Sequence, residues 1–194
     1  MHKRMSPHGD YDHMGEAINL VENFKVEKVI FNCGVFNDLE QELIKELDKK
    51  KIKNYSCIKK LNIDNNKLYF LQTKEYDNEN DNSNVSYSKY GTFKFLFMGD
   101  AGIEKDILEK YNISDVYVLK VGHHGSITSS TKTFINYIKP KFSIISVGKK
   151  NRFGHPNKEV LNNLDNSKIY RTDEDGSILF KIKNNKFQIE TYSP

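Results

Sequence analysis

The stretch His8-Gly9-Asp10-Tyr11-Asp12-His13 places four potential metal ligands within six residues. Imidazole nitrogens and carboxylate oxygens are donors with which proteins hold many divalent metal ions. Side chains at six consecutive positions point to all sides of a helix, so this stretch is better suited to a loop that curls around an ion. We therefore interpret residues 8–13 as part of a metal centre. The alternative is an acidic turn with incidental histidines.

The composition is that of one globular domain. The chain has 194 residues, of which 29% are charged and 37% hydrophobic, and its net charge of +4 permits a polyanionic substrate without requiring one. No apolar run approaches the roughly 20 residues of a membrane-spanning helix, and the basic residues 1–4 are not followed by the apolar core of a secretory signal. We expect a single soluble domain over residues 1–194, without a transmembrane segment and with the cytoplasm as its default location.

The two cysteines, Cys33 and Cys57, lack the Cys-x-x-Cys spacing of redox or metal motifs. We predict that both are buried thiols, and one disulfide between them is the alternative. The cysteine content by itself does not indicate an oxidising compartment.

Hydrophobic periodicity predicts helices and strands in alternation. A capping box formed by Asn37 and Glu40 predicts the start of one helix, and residues 77–83 are predicted as a polar loop. Further helices are predicted at residues 14–24, 103–111, 131–138 and 157–164. Strands are predicted at residues 26–32, 54–58, 67–72, 92–98, 116–121, 142–147, 169–171, 177–182 and 187–191. This alternation predicts an α/β fold.

Three more groups of potential ligands directly follow predicted strands: Asp100, the His123-His124 pair and His155. Loops that leave strand ends on one edge of a sheet commonly form the sites of α/β proteins. We therefore predict that these residues converge with residues 8–13. Asp100 alone would be interpreted as a helix cap, but beside the other loops it is predicted to bridge two ions, because an anionic oxygen can bind two cations. The alternative for His155 is a residue that only precedes a helix.

The His123-His124 pair lies between Gly122 and Gly125, which allow the backbone to come close to an ion or a substrate. Adjacent side chains point in different directions. One histidine is therefore expected to bind the metal while the other donates a hydrogen bond, and the sequence leaves open which does which.

A basic segment precedes His155. Lys149, Lys150 and Arg152 would flank the metal and are predicted to bind a phosphodiester substrate; the alternative is a solvated basic turn. Nucleobases could also stack on three aromatic residues that alternate as on a strand face: Tyr87, Tyr90 and Phe93.

The pattern His8-x-Asp10-x-Asp12-His13 resembles the metal motif of metallo-β-lactamase-fold hydrolases, whose usual form is His-x-His-x-Asp-His. The closer likeness is to the C-terminal hydrolase domain of ComEC-type competence proteins, which act in DNA uptake and in which an Asp often replaces the second His. Further stretches that carry the resemblance are Phe97-Met98-Gly99-Asp100, residues 119–126, residues 146–156 and residues 170–176.

The resemblance implies an αββα sandwich of the metallo-β-lactamase type. Members of that fold normally carry further strands before this motif, so we expect part of the first sheet to be absent. A cofactor of one or two divalent ions, zinc or manganese, is also implied, and Asp10 in place of an imidazole shifts the preference towards manganese.

The resemblance also assigns roles to residues. His8 and Asp10 would hold one ion, and Asp12 and His13 the second. Asp100 would bridge the two ions. His155 or one of the His123-His124 pair would complete the set, and of that pair His124 is taken as the ligand. The catalytic residues would be Asp12, which orients the nucleophilic hydroxide, and the pair His123 and His124.

Taken together, these patterns predict a metal-dependent hydrolase, specifically a phosphodiesterase or nuclease that acts on DNA. One alternative is a hydrolase of another ester or amide, such as a thioester or a lactone. Another is a catalytically inactive domain that binds nucleic acid or a protein partner.

Overall fold

The structure, a computed structural model, describes residues 11–63, 65–71 and 74–193, with the backbone alone at Tyr11 and Asp12. In chain order its elements are α1 (Tyr11–Met14), α2 (Ala17–Asn23), β1 (Lys28–Phe31), α3 (Asp38–Lys49), β2 (Lys53–Ser56), β3 (Lys60–Ile63), β4 (Asn66–Phe70), β5 (Ser86–Tyr90), β6 (Phe93–Phe97), α4 (Glu104–Lys110), β7 (Val118–Lys120), α5 (Lys132–Ile138), β8 (Phe142–Ile145), α6 (Lys158–Asn163), β9 (Lys168–Arg171), α7 (Thr172–Asp175), β10 (Ser177–Lys183) and β11 (Lys186–Tyr192). Short 3-10 helices cover Glu79–Asn82 and Gly122–Gly125.

Seven of the described strands form one mixed sheet in the order β3-β4-β5-β6-β7-β8-β9. The pairs β3–β4, β4–β5 and β5–β6 are antiparallel, whereas the pairs β6–β7, β7–β8 and β8–β9 are parallel. Strands β1 and β2 form a separate parallel pair, and β10 and β11 form a hairpin. Helices alternate with the parallel strands, so the predicted α/β class is confirmed.

One face of the large sheet builds the main core with helices α4, α5 and α6. Side chains alternate along a strand, so Leu96 and its register partner Leu119 point to the same face. Both are buried in one cluster with side chains of the three helices, among them Ile107, Phe134 and Val160. This packing fixes the parallel strands against their helices, so the loops that follow the strands start from fixed positions.

The β10–β11 hairpin packs on the opposite face. Phe95, Val118 and Phe142 are register partners there. The ring of Phe187 in β11 lies 6.4 Å from that of Phe95 and 5.6 Å from that of Phe142, between ring centroids. Asn184-Asn185 between the two strands has positive φ at both residues, as a two-residue hairpin turn of type I′ requires.

The N-terminal elements form a smaller core of their own. Phe31 of β1 is buried together with Leu43 and Leu47 of α3. Helix α3 begins with the predicted capping box, in which Asn37 Oδ1 accepts a hydrogen bond of 2.9 Å from the Glu40 N–H and Glu40 Oε2 accepts one of 2.8 Å from the Asn37 N–H. Met14 packs against the same cluster and so anchors the residue that precedes it, His13.

The two cysteines are bonded to each other, so the predicted buried thiols are wrong and the disulfide alternative holds. The cause is strand pairing: Phe31 and Ser56 are register partners in the parallel pair β1–β2, and Cys33 and Cys57 follow them at the same end. Disulfides persist mainly in oxidising compartments, so this bond lends no support to the default cytoplasmic location. In the part of the chain that the structure describes, no helix has the length and apolar character to span a bilayer.

The disulfide gives a prediction about stability. A double variant with Cys33→Ser and Cys57→Ser is expected to lose about 3 kcal/mol in free energy of unfolding, because the bond closes a segment of 24 residues in the unfolded chain. Urea denaturation measures this loss. Reducing agent should bring the parent to the stability of the variant and leave the variant unchanged; equal stability of the parent and the variant under oxidising conditions would contradict the prediction.

Candidate metal centre

Three side chains from distant parts of the chain meet beyond the ends of β6 and β7. His13 Nε2 lies 3.0 Å from Asp100 Oδ2, and His124 Nε2 lies 4.0 Å from the same oxygen. The three potential ligand atoms all lie within 4.8 Å of one another. Among the described residues, this is the one such group of three or more His, Cys, Asp or Glu side chains.

Parallel pairing of β6 with β7 places two of the three residues. Phe97 and Lys120 are register partners at the ends of these strands. Both chains leave the sheet at the same edge, so Asp100 and His124 emerge as neighbours, as expected for loops at the carboxyl ends of parallel strands. His13 comes from α1 and reaches this edge from the smaller N-terminal core.

The turn that carries the histidine pair has an unusual backbone. His123 and His124 both have positive φ, 46° and 53°, a conformation in which non-glycine residues are uncommon. Such residues cost roughly 1 kcal/mol or more each and persist where surrounding contacts enforce them. Here the His123 N–H donates to the Gly99 carbonyl over 2.9 Å, which ties the turn to the loop that holds Asp100.

A hydrogen bond determines which ring nitrogen of His124 can bind a metal. His124 Nδ1 lies 2.7 Å from the carbonyl oxygen of Ser146, which can only accept, so Nδ1 carries the proton. In a neutral ring the lone pair then lies on Nε2, the atom that faces Asp100. His124 therefore has the tautomer of a metal ligand, with a carbonyl partner behind it.

His123 points elsewhere. Its Nδ1 lies 3.0 Å from Thr128 Oγ1, and its ring centroid lies 6.4 Å from that of His124 and 6.0 Å from that of His155. Of the two adjacent histidines, His124 is the one that joins the group with His13 and Asp100; its role as the metal ligand stays a prediction.

The electrostatics of Asp100 suit a cation site. Burial by itself would raise the pKa of this carboxyl group, but the hydrogen bond from His13 and the positive charge of the surrounding histidines outweigh burial and hold the pKa below its usual value. Asp100 is therefore ionised at neutral pH, as a carboxylate ligand must be.

The pKa of His155 is lowered, which favours the neutral form of its ring. Burial lowers this pKa, and the nearby His123 and His124 lower it further, while Asp100 opposes the shift. His155 is therefore neutral at pH 7. Its ring lies beside His123 rather than within the group of three ligand atoms.

The other predicted site residues fall into two sets. The basic residues of the loop before His155 are exposed at the surface: Lys149, Lys150 and Arg152. His8 and Asp10 lie outside the described residues, as does the side chain of Asp12. Their predicted roles as ligands, and that of Asp12 in orienting a nucleophile, stay predictions.

Lys120 lies close to this group and was not predicted from the sequence. Its Nζ donates to the Val121 carbonyl over 3.1 Å, and burial lowers its pKa while the charge of Asp100 acts in the opposite direction. The signal that could have indicated it was a lysine at the end of an apolar strand, with Val121 alone between it and Gly122-His123.

Hydrogen bonds between loops hold the ligands in place. The Asp100 N–H donates to Ser83 Oγ over 2.8 Å. Four residues further on, the buried Glu104 accepts hydrogen bonds from the Ser130 N–H and from the N–H and hydroxyl of Thr131. These contacts connect the Asp100 loop to the segment that follows the histidine pair, so the two ligand loops are positioned as one unit.

Two glycines allow the loops to approach closely. An added Cβ at Gly99 would lie 2.6 Å from Ser83 Cβ, and one at Gly125 would lie 2.6 Å from Pro156 Cβ. Both glycines also have positive φ, 57° and 80°. The Gly125 carbonyl accepts a hydrogen bond of 2.8 Å from the Asn157 N–H, so the His124 turn is fastened to the segment that carries His155.

Comparison with known proteins relates the chain to competence proteins. It is 30% identical to ComE operon protein 3 of Bacillus subtilis over an alignment of 196 positions that covers 96% of the chain. It is also similar over 58% of its length to Competence protein ComA of Neisseria gonorrhoeae, with 34% identity, and to Recombination protein 2 of Haemophilus influenzae, with 27% identity. The chain spans 25%, 17% and 14% of the lengths of these relatives, respectively. No family model matches it.

The close approach at Gly125 gives a second prediction. Gly125→Ala is expected to lower the free energy of unfolding by about 2 kcal/mol, because the methyl group would collide with Pro156 and the backbone is left-handed. Gly148→Ala is the matched control, since no heavy atom lies within 4 Å of the added carbon, and its effect should stay within about 0.5 kcal/mol. Urea denaturation of both variants decides; equal losses would show that the Gly125 contact is unimportant.

Proposed function

We propose that this chain is a metal-dependent hydrolase domain that cleaves phosphodiester bonds in DNA, built on a metallo-β-lactamase-like scaffold. The observation that carries the proposal is the group His13, Asp100 and His124 at the edge of the parallel strands. On this scaffold the β1–β2 pair would belong to a first sheet, packed beside the larger one. The relation to competence proteins supports DNA as the substrate.

The donor set fits a divalent transition metal. Two imidazoles and one carboxylate suit zinc and also manganese, and ligand atoms around a tetrahedral ion bonded at 2.0–2.1 Å are separated by about 3.3 Å. The separations from Asp100 Oδ2 to His13 Nε2 and to His124 Nε2, 3.0 and 4.0 Å, lie on either side of that value. His8, Asp10, Asp12 and His155 are proposed to complete a site for one or two ions.

When bound, the metal would supply an activated water at neutral pH and polarise a phosphoryl oxygen. The residues of the chain supply the rest. Asp100 provides a fixed negative charge at the cation site, and His124 is oriented by the Ser146 carbonyl. Asp12 is proposed to orient the attacking water by accepting a hydrogen bond from it, and His123 to donate a hydrogen bond to the phosphate.

The basic loop favours a phosphodiester over a neutral ester. Exposed Lys149, Lys150 and Arg152 lie three to six residues before His155, whose ring adjoins that of His123. Several cations beside a cationic centre attract a polyanion and raise its affinity at low salt. A thioester or lactone substrate would gain nothing from these charges. We therefore place the DNA backbone along this loop.

The proposed centre predicts the effect of one charge-removing substitution. Asp100→Asn keeps the shape of the side chain but removes the anionic ligand, so affinity for Mn²⁺ or Zn²⁺ and metal-stimulated cleavage of single-stranded DNA should both fall by at least about 100-fold. Isothermal titration calorimetry measures binding, and release of labelled nucleotides measures cleavage. Asp115→Asn removes the same charge at the opposite end of β7 and is the control, expected to behave like the parent.

Three outcomes of this comparison would overturn the proposal. Asp100→Asn could bind metal and cleave DNA like the parent. The parent could hydrolyse a thioester or a lactone but no phosphodiester, which would favour the other class of hydrolase. The parent could bind DNA without metal and cleave none after addition of any metal, which would indicate a binding domain.

A further inference from the structure

An exposed aromatic ring lies beside the candidate centre and has no role in the chemistry proposed above. Phe153 is 68% exposed, and its ring stacks on that of His155 with centroids 5.8 Å apart and an interplanar angle of 17°. The guanidinium carbon of Arg152 lies 4.9 Å from the centroid of the same phenyl ring. The ring is thus held by stacking and not by burial.

Hydrogen bonds of the Asn151 side chain hold the loop that presents Phe153. Asn151 Nδ2 donates to the Gly148 carbonyl over 3.1 Å and to the His155 carbonyl over 2.8 Å. Asn151 Oδ1 accepts from the His155 N–H over 2.8 Å. These bonds close the loop on either side of Phe153, so its phenyl ring projects into solvent from an ordered turn.

A row of rings leads from Phe153 to the metal ligands. The centroid of His155 lies 6.0 Å from that of His123, the centroid of His123 lies 6.4 Å from that of His124, and the centroid of His124 lies 5.7 Å from that of His13. Phe153 is therefore the outer end of a row of neighbouring rings that reaches the Asp100 group. A base stacked on its exposed surface would lie at the outer end of this row, beside the basic loop.

We infer that Phe153 is a stacking platform for an unpaired nucleobase of the strand whose phosphate occupies the centre; this inference rests on the proposed function. Aromatic side chains beside basic residues are the elements with which proteins hold single strands, because every base has a π-face and every linkage a charge. Arg152, Lys149 and Lys150 supply the charges next to the ring. In a duplex the bases are already paired and stacked, so the platform favours single strands or frayed ends.

A different role for Phe153 would be to orient the His155 ring by stacking alone. That role requires no contact with a base and predicts equal effects of a Phe153 substitution on every substrate. The two roles are therefore separated by comparing oligothymidylate with an abasic strand of the same length and charge.

The chain contains no tryptophan, which allows a direct probe of base contact. Phe153→Trp introduces a single indole, whose fluorescence is quenched when a base stacks on it. In EDTA, so that no strand is cleaved, oligothymidylate should quench this fluorescence saturably and the abasic strand should not. Tyr137→Trp is the matched control: Tyr137 is 39% exposed. It precedes Ile138, whose carbonyl accepts a hydrogen bond from the Val116 N–H near the start of β7, at the end of that strand away from Asp100, so no base-dependent quenching is expected.

Kinetics with bound metal supply the second readout. The parent should have a KM for oligothymidylate about 10-fold lower than for the abasic strand, as base–aromatic stacking allows. Phe153→Ala should lose this preference, and Phe153→Tyr should retain it. Absence of base-dependent quenching of the indole in Phe153→Trp, together with an unchanged preference in Phe153→Ala, would overturn the inference.

The same experiments distinguish a wrong inference about Phe153 from a wrong proposed function. Quenching by oligothymidylate in a protein that cleaves no phosphodiester would leave the platform standing and refute the nuclease. Metal-dependent cleavage of DNA with no quenching and no loss of base preference would leave the nuclease standing and refute the platform.

Discussion

The parallel pairing of β6, β7 and β8 is the constraint on which the candidate site depends. Phe97 and Lys120 are register partners that end β6 and β7 at one edge, and Lys120 pairs in turn with Ile144, the last residue but one of β8. The loops that follow β6 and β7 carry Asp100 and His124. The carbonyl that orients His124 belongs to Ser146, one residue beyond the end of β8. Three neighbouring strands thus supply a charge, an imidazole and the acceptor that sets its tautomer, and packing of Leu96 and Leu119 against the helices keeps these strands in place.

The backbone at this edge is held in conformations that would be unfavourable elsewhere. The consecutive left-handed residues 123 and 124 are held by the hydrogen bond from the His123 N–H to the Gly99 carbonyl, and next to them Gly125 has no room for a Cβ beside Pro156. Strain of this kind persists only where surrounding contacts over-determine it, and it concentrates at functional sites. Burial of Asp100 disfavours its ionised form, but the nearby histidines outweigh that effect and lower its pKa. The edge therefore has the charge and the geometry that suit a cation.

Much of this arrangement could be predicted from local patterns. The capping box at Asn37 and the asparagine turn of the last hairpin depend on neighbouring residues, and both are as the sequence indicates. The convergence of Asp100 with the histidine pair followed from their positions after successive strands. Strands β3 and β5 were not predicted, because Lys60–Ile63 and Ser86–Tyr90 are rich in polar residues and owe their conformation to pairing with neighbours.

What the sequence could not provide depended on tertiary register or on backbone angles. The disulfide follows from the pairing of β1 with β2, which no spacing of Cys33 and Cys57 reveals. The choice of His124 over His123 depends on φ values and on the Ser146 carbonyl.

The central claim is that a metal ion binds between His13, Asp100 and His124. A crystal of the protein loaded with Mn²⁺ or Zn²⁺, measured at the absorption edge of the metal, tests it most directly. We expect an anomalous peak within about 2.3 Å of His13 Nε2, Asp100 Oδ2 and His124 Nε2; a fully loaded crystal whose peaks all lie away from these atoms would contradict the claim.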